Sequence, residues 1–219
     1  LVTAAAGANC GTPIVEAARF PGPTSSMQTL PSHAPSTGSR WPSAGLVLVA
    51  PGGLVDQAAP QRLADLMDLR LLPLCPATAA ANSALAAWAQ EQPGWLQPLQ
   101  ADPAADLEGE GCWAERLAAW RQPVLLLVPA AQVGAGPDRA YSAALDQEEA
   151  PVLGLVQLGG AWQPDRRRCD GLGWLGWLPE SDGPAGSAED QALQELRLQL
   201  LRCWGLIAAR AAAPGHPPA

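Results

Sequence analysis

The chain has 219 residues, 48% of them hydrophobic, which is enough to bury the core of one domain. Its 21 acidic and 13 basic residues give a net charge of -8, which disfavours binding to nucleic acid or to an anionic membrane surface. All 13 basic residues are arginine, so no lysine is present to neutralise a transferred phosphate, to form a Schiff base or to act as a general base.

Residues 1–44 show little sign of regular structure. Pro, Ser, Thr and Gly dominate 21–42 without the spacing of a helix or a strand, which predicts an irregular N-terminal segment. The first clear strand is the apolar run over 46–49, which stops at a turn containing Gly52 and Gly53. We therefore predict one α/β domain over 45–212, followed by a disordered, proline-rich tail over 213–219.

Helical and strand patterns alternate after residue 60. A first helix is predicted to begin at Pro60, and further helices over 78–92, 113–120, 137–149 and 187–212. Strands are predicted over 71–75, 123–128, 152–156 and 174–178. Residues 93–111 lack both periods and are predicted to be an acidic loop, either an insertion or a mobile segment. Buried strands that alternate with helices indicate a three-layer α/β fold with about five mostly parallel strands, helices on both faces and a P-loop-like topology.

Metal-binding patterns are weak. The acidic residues of the loop, together with Glu115, are able to bind a divalent cation, but a solvated charged face is the commoner arrangement. The five cysteines lie singly, and only two histidines accompany them, so we expect no metal site and free thiols.

The sequence has no apolar run of the roughly 20 residues that a membrane span needs, and its start lacks the pattern of a secretory signal. We therefore expect a cytoplasmic location. A small molecule, a protein or a second copy of the chain remain possible partners, whereas nucleic acid and membrane are not expected.

Candidate ligand-binding residues follow the predicted strands, because ligands of parallel α/β folds bind at the carboxyl ends of strands. Glycines let backbone amides approach a ligand, and arginines in a loop can clamp a phosphate or carboxylate. Gly-Gly turns and exposed charged turns also arise for purely structural reasons. The candidates on this argument are Gly52, Gly53, Gly134, Gly159, Arg166, Arg167 and Arg168.

The nine tryptophans are unusual beside one phenylalanine and one tyrosine. If Trp162, Trp174 and Trp177 were exposed together they would mark an interface, whereas buried they would belong to the core. We predict that they belong to the core.

Several strand-and-turn stretches carry a family resemblance. They are RLAAWRQPVLLLV over 116–128, VG over 133–134, SAAL over 142–145, PVLGLV over 151–156, GWLP over 176–179 and LVLVAPGG over 46–53. Together they cover under half of the chain and resemble dethiobiotin synthetase, particularly its cyanobacterial forms. The resemblance implies a P-loop fold from a family that uses ATP and Mg²⁺ to carboxylate a diamine and close a cyclic urea. It also implies that Pro179 lies beside the nucleotide base.

The chain departs from this family at the residues that carry the chemistry. A P-loop requires GxxxxGK[ST], but the nearest segment, GANCGTP over 7–13, has Thr12 and Pro13 in place of the lysine and the metal-binding hydroxyl. Val49 stands where the family has its metal-binding glutamate, and Leu158 where it has the asparagine that reads adenine. The resemblance thus implies a degenerate, non-catalytic relative that keeps a scaffold for binding a ligand or a partner.

Two alternatives stay open, and with them the question of whether the chain is an enzyme. An active ATP-dependent ligase of biotin biosynthesis, with ATP and Mg²⁺ as cofactors, requires a P-loop upstream of Leu1. An α/β-hydrolase remnant is suggested because RWPSAGLVLVAPGG over 40–53 and PVLLLVPAA over 123–131 resemble late strands of that family. However, Ser43 lacks the leading glycine of a GxSxG nucleophile elbow, and no histidine follows the last strand closely.

Overall fold

The computed structural model describes residues 45–53, 58–180 and 187–212. The predictions for residues 1–44 and 213–219, including the P-loop-like segment and Ser43, lie outside this part of the chain. Within it, none of the helices has both the length and the apolar character needed to cross a membrane.

The described residues form short strands and mostly short helices. The strands are β1 (Gly45–Val49), β2 (Arg70–Leu71), β3 (Cys75–Pro76), β4 (Trp95–Gln100), β5 (Asp106–Leu107), β6 (Gly111–Cys112), β7 (Val124–Pro129), β8 (Val152–Leu158) and β9 (Trp174–Leu178). The helices are α1 (Ala58–Met67), α2 (Ala81–Ala89), α3 (Trp113–Ala119), α4 (Pro137–Gln147), α5 (Pro164–Cys169) and α6 (Ser187–Ala212). A 3-10 turn, Ala130–Gln132, follows β7.

Seven of these strands form one parallel sheet in the order β2-β4-β1-β7-β8-β9, with β3 also paired to β4. Helices α2, α3 and α4 pack on one face, where their buried residues join Val47 and Val49 of β1 in one cluster. Helices α1 and α6 pack on the other face, with Leu46 and Leu48. The alternate residues of β1 therefore serve two cores, which confirms the predicted three-layer α/β fold.

Strand β4 corrects the prediction of a loop over 93–111. Pro98 and two glutamines interrupt its apolar pattern, yet five of its six residues are buried. Leu71 pairs with Leu96 and Cys75 with Leu99, so Pro98 lies opposite the gap between β2 and β3, where no ladder bond needs its missing N–H.

The side chain of Gln97 provides the hydrogen bonds that the carbonyl groups at this gap would otherwise lack. Its Nε2 donates to the Pro73 carbonyl at 2.7 Å and to the Pro98 carbonyl at 2.8 Å. The interruption also splits the strand predicted over 71–75 into the short strands β2 and β3. The sheet consequently has more strands than the five predicted.

Candidate functional site

The loop after β1 forms a tight glycine turn at the carboxyl end of the sheet. Gly52 and Gly53 both adopt positive φ, at 74° and 84°, and the Gly53 amide donates to the Ala50 carbonyl at 3.0 Å. A Cβ on Gly52 would lie 2.7 Å from Nε2 of Gln132, so the turn also makes room for that side chain. Both the turn and its packing require glycine here.

Tyr141 of α4, which the sequence pattern did not single out, reaches the same loop. Burial raises the pKa of its phenol, the nearby charge of Asp102 raises it further, and a backbone hydrogen bond with Gly52 acts in the opposite direction. The phenol therefore stays protonated at neutral pH and packs against the loop as a neutral group.

The backbone amide of Gly134 already has a hydrogen-bond acceptor within the protein. It donates to Oδ2 of Asp138 at 2.8 Å, and the Arg139 amide donates to Oδ1 at 2.9 Å. Asp138 lies in the first turn of α4 and is only 1% exposed. Its carboxylate thus occupies the place that an anionic ligand would take at this helix start.

Replacing Asp138 by alanine is expected to lower the free energy of unfolding by about 2 kcal/mol, because the two amides would lose their buried acceptor. Chemical denaturation measures this loss. Asp146→Ala, at an exposed position of the same helix, is the control and should change stability by less than about 0.5 kcal/mol. Equal effects of the two substitutions would contradict the role given to Asp138.

Gly159 ties the end of β8 to β9. Its amide donates to the Leu178 carbonyl at 2.8 Å, and its own carbonyl accepts from Nε2 of Gln157 at 2.8 Å and from Nε1 of Trp177 at 3.0 Å. A Cβ here would meet the carboxylate of Glu180 at 2.1 Å. Gly159 therefore has a structural role, because its amide and its carbonyl are both hydrogen-bonded within the protein.

The three arginines lie in helix α5, which corrects the prediction that they share a loop. Successive helical residues point about 100° apart, so the three arginine side chains leave α5 in different directions. Arg167 donates from Nε and from a terminal nitrogen to Oε1 of the buried Gln157, at 3.1 and 2.9 Å. Arg166 and Arg168 are exposed, and Arg168 lies 3.3 Å from Asp165.

Pro179, the remaining candidate, is buried directly after β9. Its carbonyl accepts a hydrogen bond from the Arg62 guanidinium of α1. This contact fastens the end of the edge strand to a helix on the α6 face, so the residue has a structural role in the described fold.

The acidic side chains over 102–115 are spread over separate contacts. Asp102 accepts from the Ala104 amide at 2.9 Å, and Glu110 accepts from the Asn82 amide at 3.1 Å near the start of α2. Among the described residues, no group of three His, Cys, Asp or Glu side chains is arranged to hold a metal ion.

A groove of about 600 Å³ lies at the β9 edge, between α5 and α6. We call it the tryptophan groove. Its lining includes Trp162, Arg167, Arg168, Trp174 and Trp177 on the α5 side and Glu195, Leu196 and Leu198 on the α6 side. A volume in this range suits a ligand of several functional groups or a short peptide segment.

The three tryptophans of the groove are partly exposed, and two of them donate their indole N–H to groups within the protein. Trp162 and Trp174 meet edge to face with centroids 6.4 Å apart, and Arg167 lies 5.2 Å from the Trp174 centroid. Nε1 of Trp174 donates to Asp170 at 2.7 Å, and that of Trp177 donates to the Gly159 carbonyl. All three indoles are half-buried, so they are neither the core predicted from the sequence nor a flat exposed patch.

The candidate residues therefore separate into groups. Gly52 and Gly53 lie in the loop after β1, Gly134 is bound to Asp138, and Gly159 and Arg167 are joined through Gln157 next to the tryptophan groove. The only sequence signal for the groove is the group Trp162, Trp174 and Trp177, because the groove itself forms only when β9, α5 and α6 pack together. Comparison of the sequence with the known protein families and with the curated proteins finds no match for the chain.

Proposed function

We propose that the chain is a non-catalytic binding protein on a dethiobiotin synthetase-like scaffold, and that it binds its ligand or partner in the tryptophan groove. The observation that carries this proposal is the contrast between two regions. The groove presents three half-buried indoles and two guanidinium groups around open space. At the carboxyl ends of the strands, the Gly134 amide and the Asp138 carboxylate are already bound to each other.

Two further observations support a loss of ATP-dependent chemistry. Val49, in the position of the family's metal-binding glutamate, is fully buried in the core, and Leu158, in the position of the adenine-reading asparagine, packs against the opposite core. The whole chain also lacks the lysine that would counter the charge of a transferred phosphoryl group.

Calorimetry with Mg-ATP and a fluorescence titration with anilinonaphthalene sulfonate, a flat anionic probe, test the proposal together. We expect saturable binding of the probe with quenching of tryptophan emission, and neither binding nor hydrolysis of Mg-ATP. Trp162→Ala should weaken probe binding about tenfold by removing one ring of the groove. Trp120→Ala is the matched control, because Trp120 is also half-buried but lies outside the groove.

The opposite results favour the alternatives. Micromolar binding of Mg-ATP with release of ADP would establish an ATP-dependent enzyme and overturn the proposal. Labelling of Ser43 by a fluorophosphonate would support the hydrolase alternative. If Trp162→Ala and Trp120→Ala weaken probe binding equally, the groove is not the binding site.

A further inference from the structure

Strand β9 is the last strand of the sheet in the part of the chain that the structure describes, and its outer edge pairs with no described strand. The consecutive residues 173–177 all line the tryptophan groove, so the groove follows the backbone of this edge. The strand sequence is WLGWL, which contains neither charge nor proline. Edges of this kind accept an added strand unless something covers them.

The groove has the size of one short strand. A strand residue rises about 3.3 Å, lies about 4.8 Å from the neighbouring strand and occupies a layer about 10 Å thick, so about four residues fill such a groove. The groove volume of about 600 Å³ matches this requirement. Helices α5 and α6 flank the two sides, as the covering layers of a sheet do.

The two walls differ in chemistry. On the α5 wall, the side chain of Arg168 is 79% exposed and lies 3.3 Å from that of Asp165, which is 94% exposed. An ion pair between two such exposed groups is weak and leaves the arginine able to bind another anion. On the α6 wall, Leu196 is buried and Leu198 is 66% exposed. Glu195 on the same wall disfavours an acidic neighbour there.

We infer that the groove binds an extended acidic peptide of a partner protein by adding it as a strand to β9, an inference that rests on the proposed function. Side chains of a strand alternate between faces, so acidic residues of the peptide contact the α5 wall and apolar residues contact the α6 wall. Backbone hydrogen bonds to β9 provide the affinity, and the two walls select the sequence.

A second copy of the chain suits the groove less well. Trp174 packs toward the face that carries α2, α3 and α4, and Arg167 lies over its ring, so α5 belongs to that face. Antiparallel pairing of two β9 strands about a twofold axis would place both arginine-bearing helices on one face. The two sets of exposed α5 arginines would then lie near one another, which disfavours this arrangement.

Calorimetry with three synthetic hexapeptides tests the inference. The first alternates valine and aspartate, the second alternates valine and lysine, and the third is the first with every backbone amide N-methylated. We expect saturable binding of the aspartate peptide, at least about tenfold weaker binding of the lysine peptide, and no binding of the methylated peptide because it lacks the donors for strand pairing.

Two charge reversals provide the matched variants. Arg168→Glu should weaken the aspartate peptide about tenfold, whereas Arg210→Glu, the same change at an exposed position of α6 outside the groove, should stay within about twofold. Equal effects of the two would overturn the inference.

The remaining outcomes separate this inference from the proposed function. If anilinonaphthalene sulfonate fills the groove and the aspartate peptide does not bind, the strand-addition inference is wrong and the proposed function stands. If neither the probe nor the aspartate peptide binds, both the inference and the proposed function are wrong. If the chain forms a dimer whose β9 amides become protected from hydrogen exchange, the occupant is a second copy and the inference is overturned.

Discussion

Replacing Gly45 by alanine is expected to lower the free energy of unfolding by about 3 kcal/mol or more, the largest effect of any single methyl group in the described structure. Gly45 lies opposite Trp95 in the β1–β4 ladder, and a Cβ on it would lie 2.0 Å from the indole ring. The ring is fully buried and packs against Trp88 at a centroid distance of 6.1 Å. Because core side chains are close-packed, the ring cannot retreat without displacing its neighbours.

A double-mutant cycle gives the control for this prediction. In a Trp95→Leu background the clash is gone, so Gly45→Ala should then cost less than about 1 kcal/mol. Gly205→Ala, within α6 and with nothing near its Cβ, should raise stability by about 0.5–1 kcal/mol instead. Chemical denaturation compares these variants, and additive costs in the cycle would show that the indole contact is not the cause.

Replacing Gly154 by alanine should have the second largest effect, a loss of about 2–4 kcal/mol. Its φ is 148°, and a Cβ would lie 2.5 Å from the Gly173 carbonyl oxygen, which is backbone, and 2.7 Å from Leu175. The Leu155 amide donates to the same Gly173 carbonyl at 2.9 Å, so β8 and β9 are held at this point. The substitution must push β9 outward, and we expect it to impair the tryptophan groove as well.

Gly173→Ala is the neighbouring control, because a Cβ there meets open space. It should change stability by less than about 0.5 kcal/mol. Thermal and chemical denaturation of both variants checks the predicted stabilities, and probe binding is measured on Gly154→Ala. A Gly154→Ala protein as stable as Gly173→Ala would show that the close approach of β8 to β9 does not limit this position.

Much of the fold follows from local sequence signals. Strand β9 and helix α6 have the predicted bounds, because a continuous apolar run marks the strand and leucines at helical spacing mark the buried face of the helix. Strand β4 was missed because its proline and glutamines are acceptable only opposite the gap between β2 and β3. That compensation joins distant parts of the chain, so no local pattern reports it.

The candidate site was harder to predict than the fold. The glycines do follow the strands. However, the Asp138 carboxylate accepts from the Gly134 amide, and the Tyr141 phenol lies beside Gly52, only because α4 packs where it does. Helix α5 was missed because six residues are too few to show a helical period. The chemistry of Arg167 is set by a buried partner, Gln157, ten residues away.

Ligands are expected to enter the tryptophan groove and not the loops at the carboxyl ends of the strands. Nuclear magnetic resonance of the indole and backbone N–H groups tests it most directly, with anilinonaphthalene sulfonate and Mg-ATP added separately. The probe should shift the resonances of the groove indoles but not those of the buried indoles of Trp95 and Trp113, and Mg-ATP should leave the Gly52 and Gly53 amide resonances unchanged. Shifts of those two glycine amides with Mg-ATP, while the groove indoles stay unmoved by the probe, would contradict it.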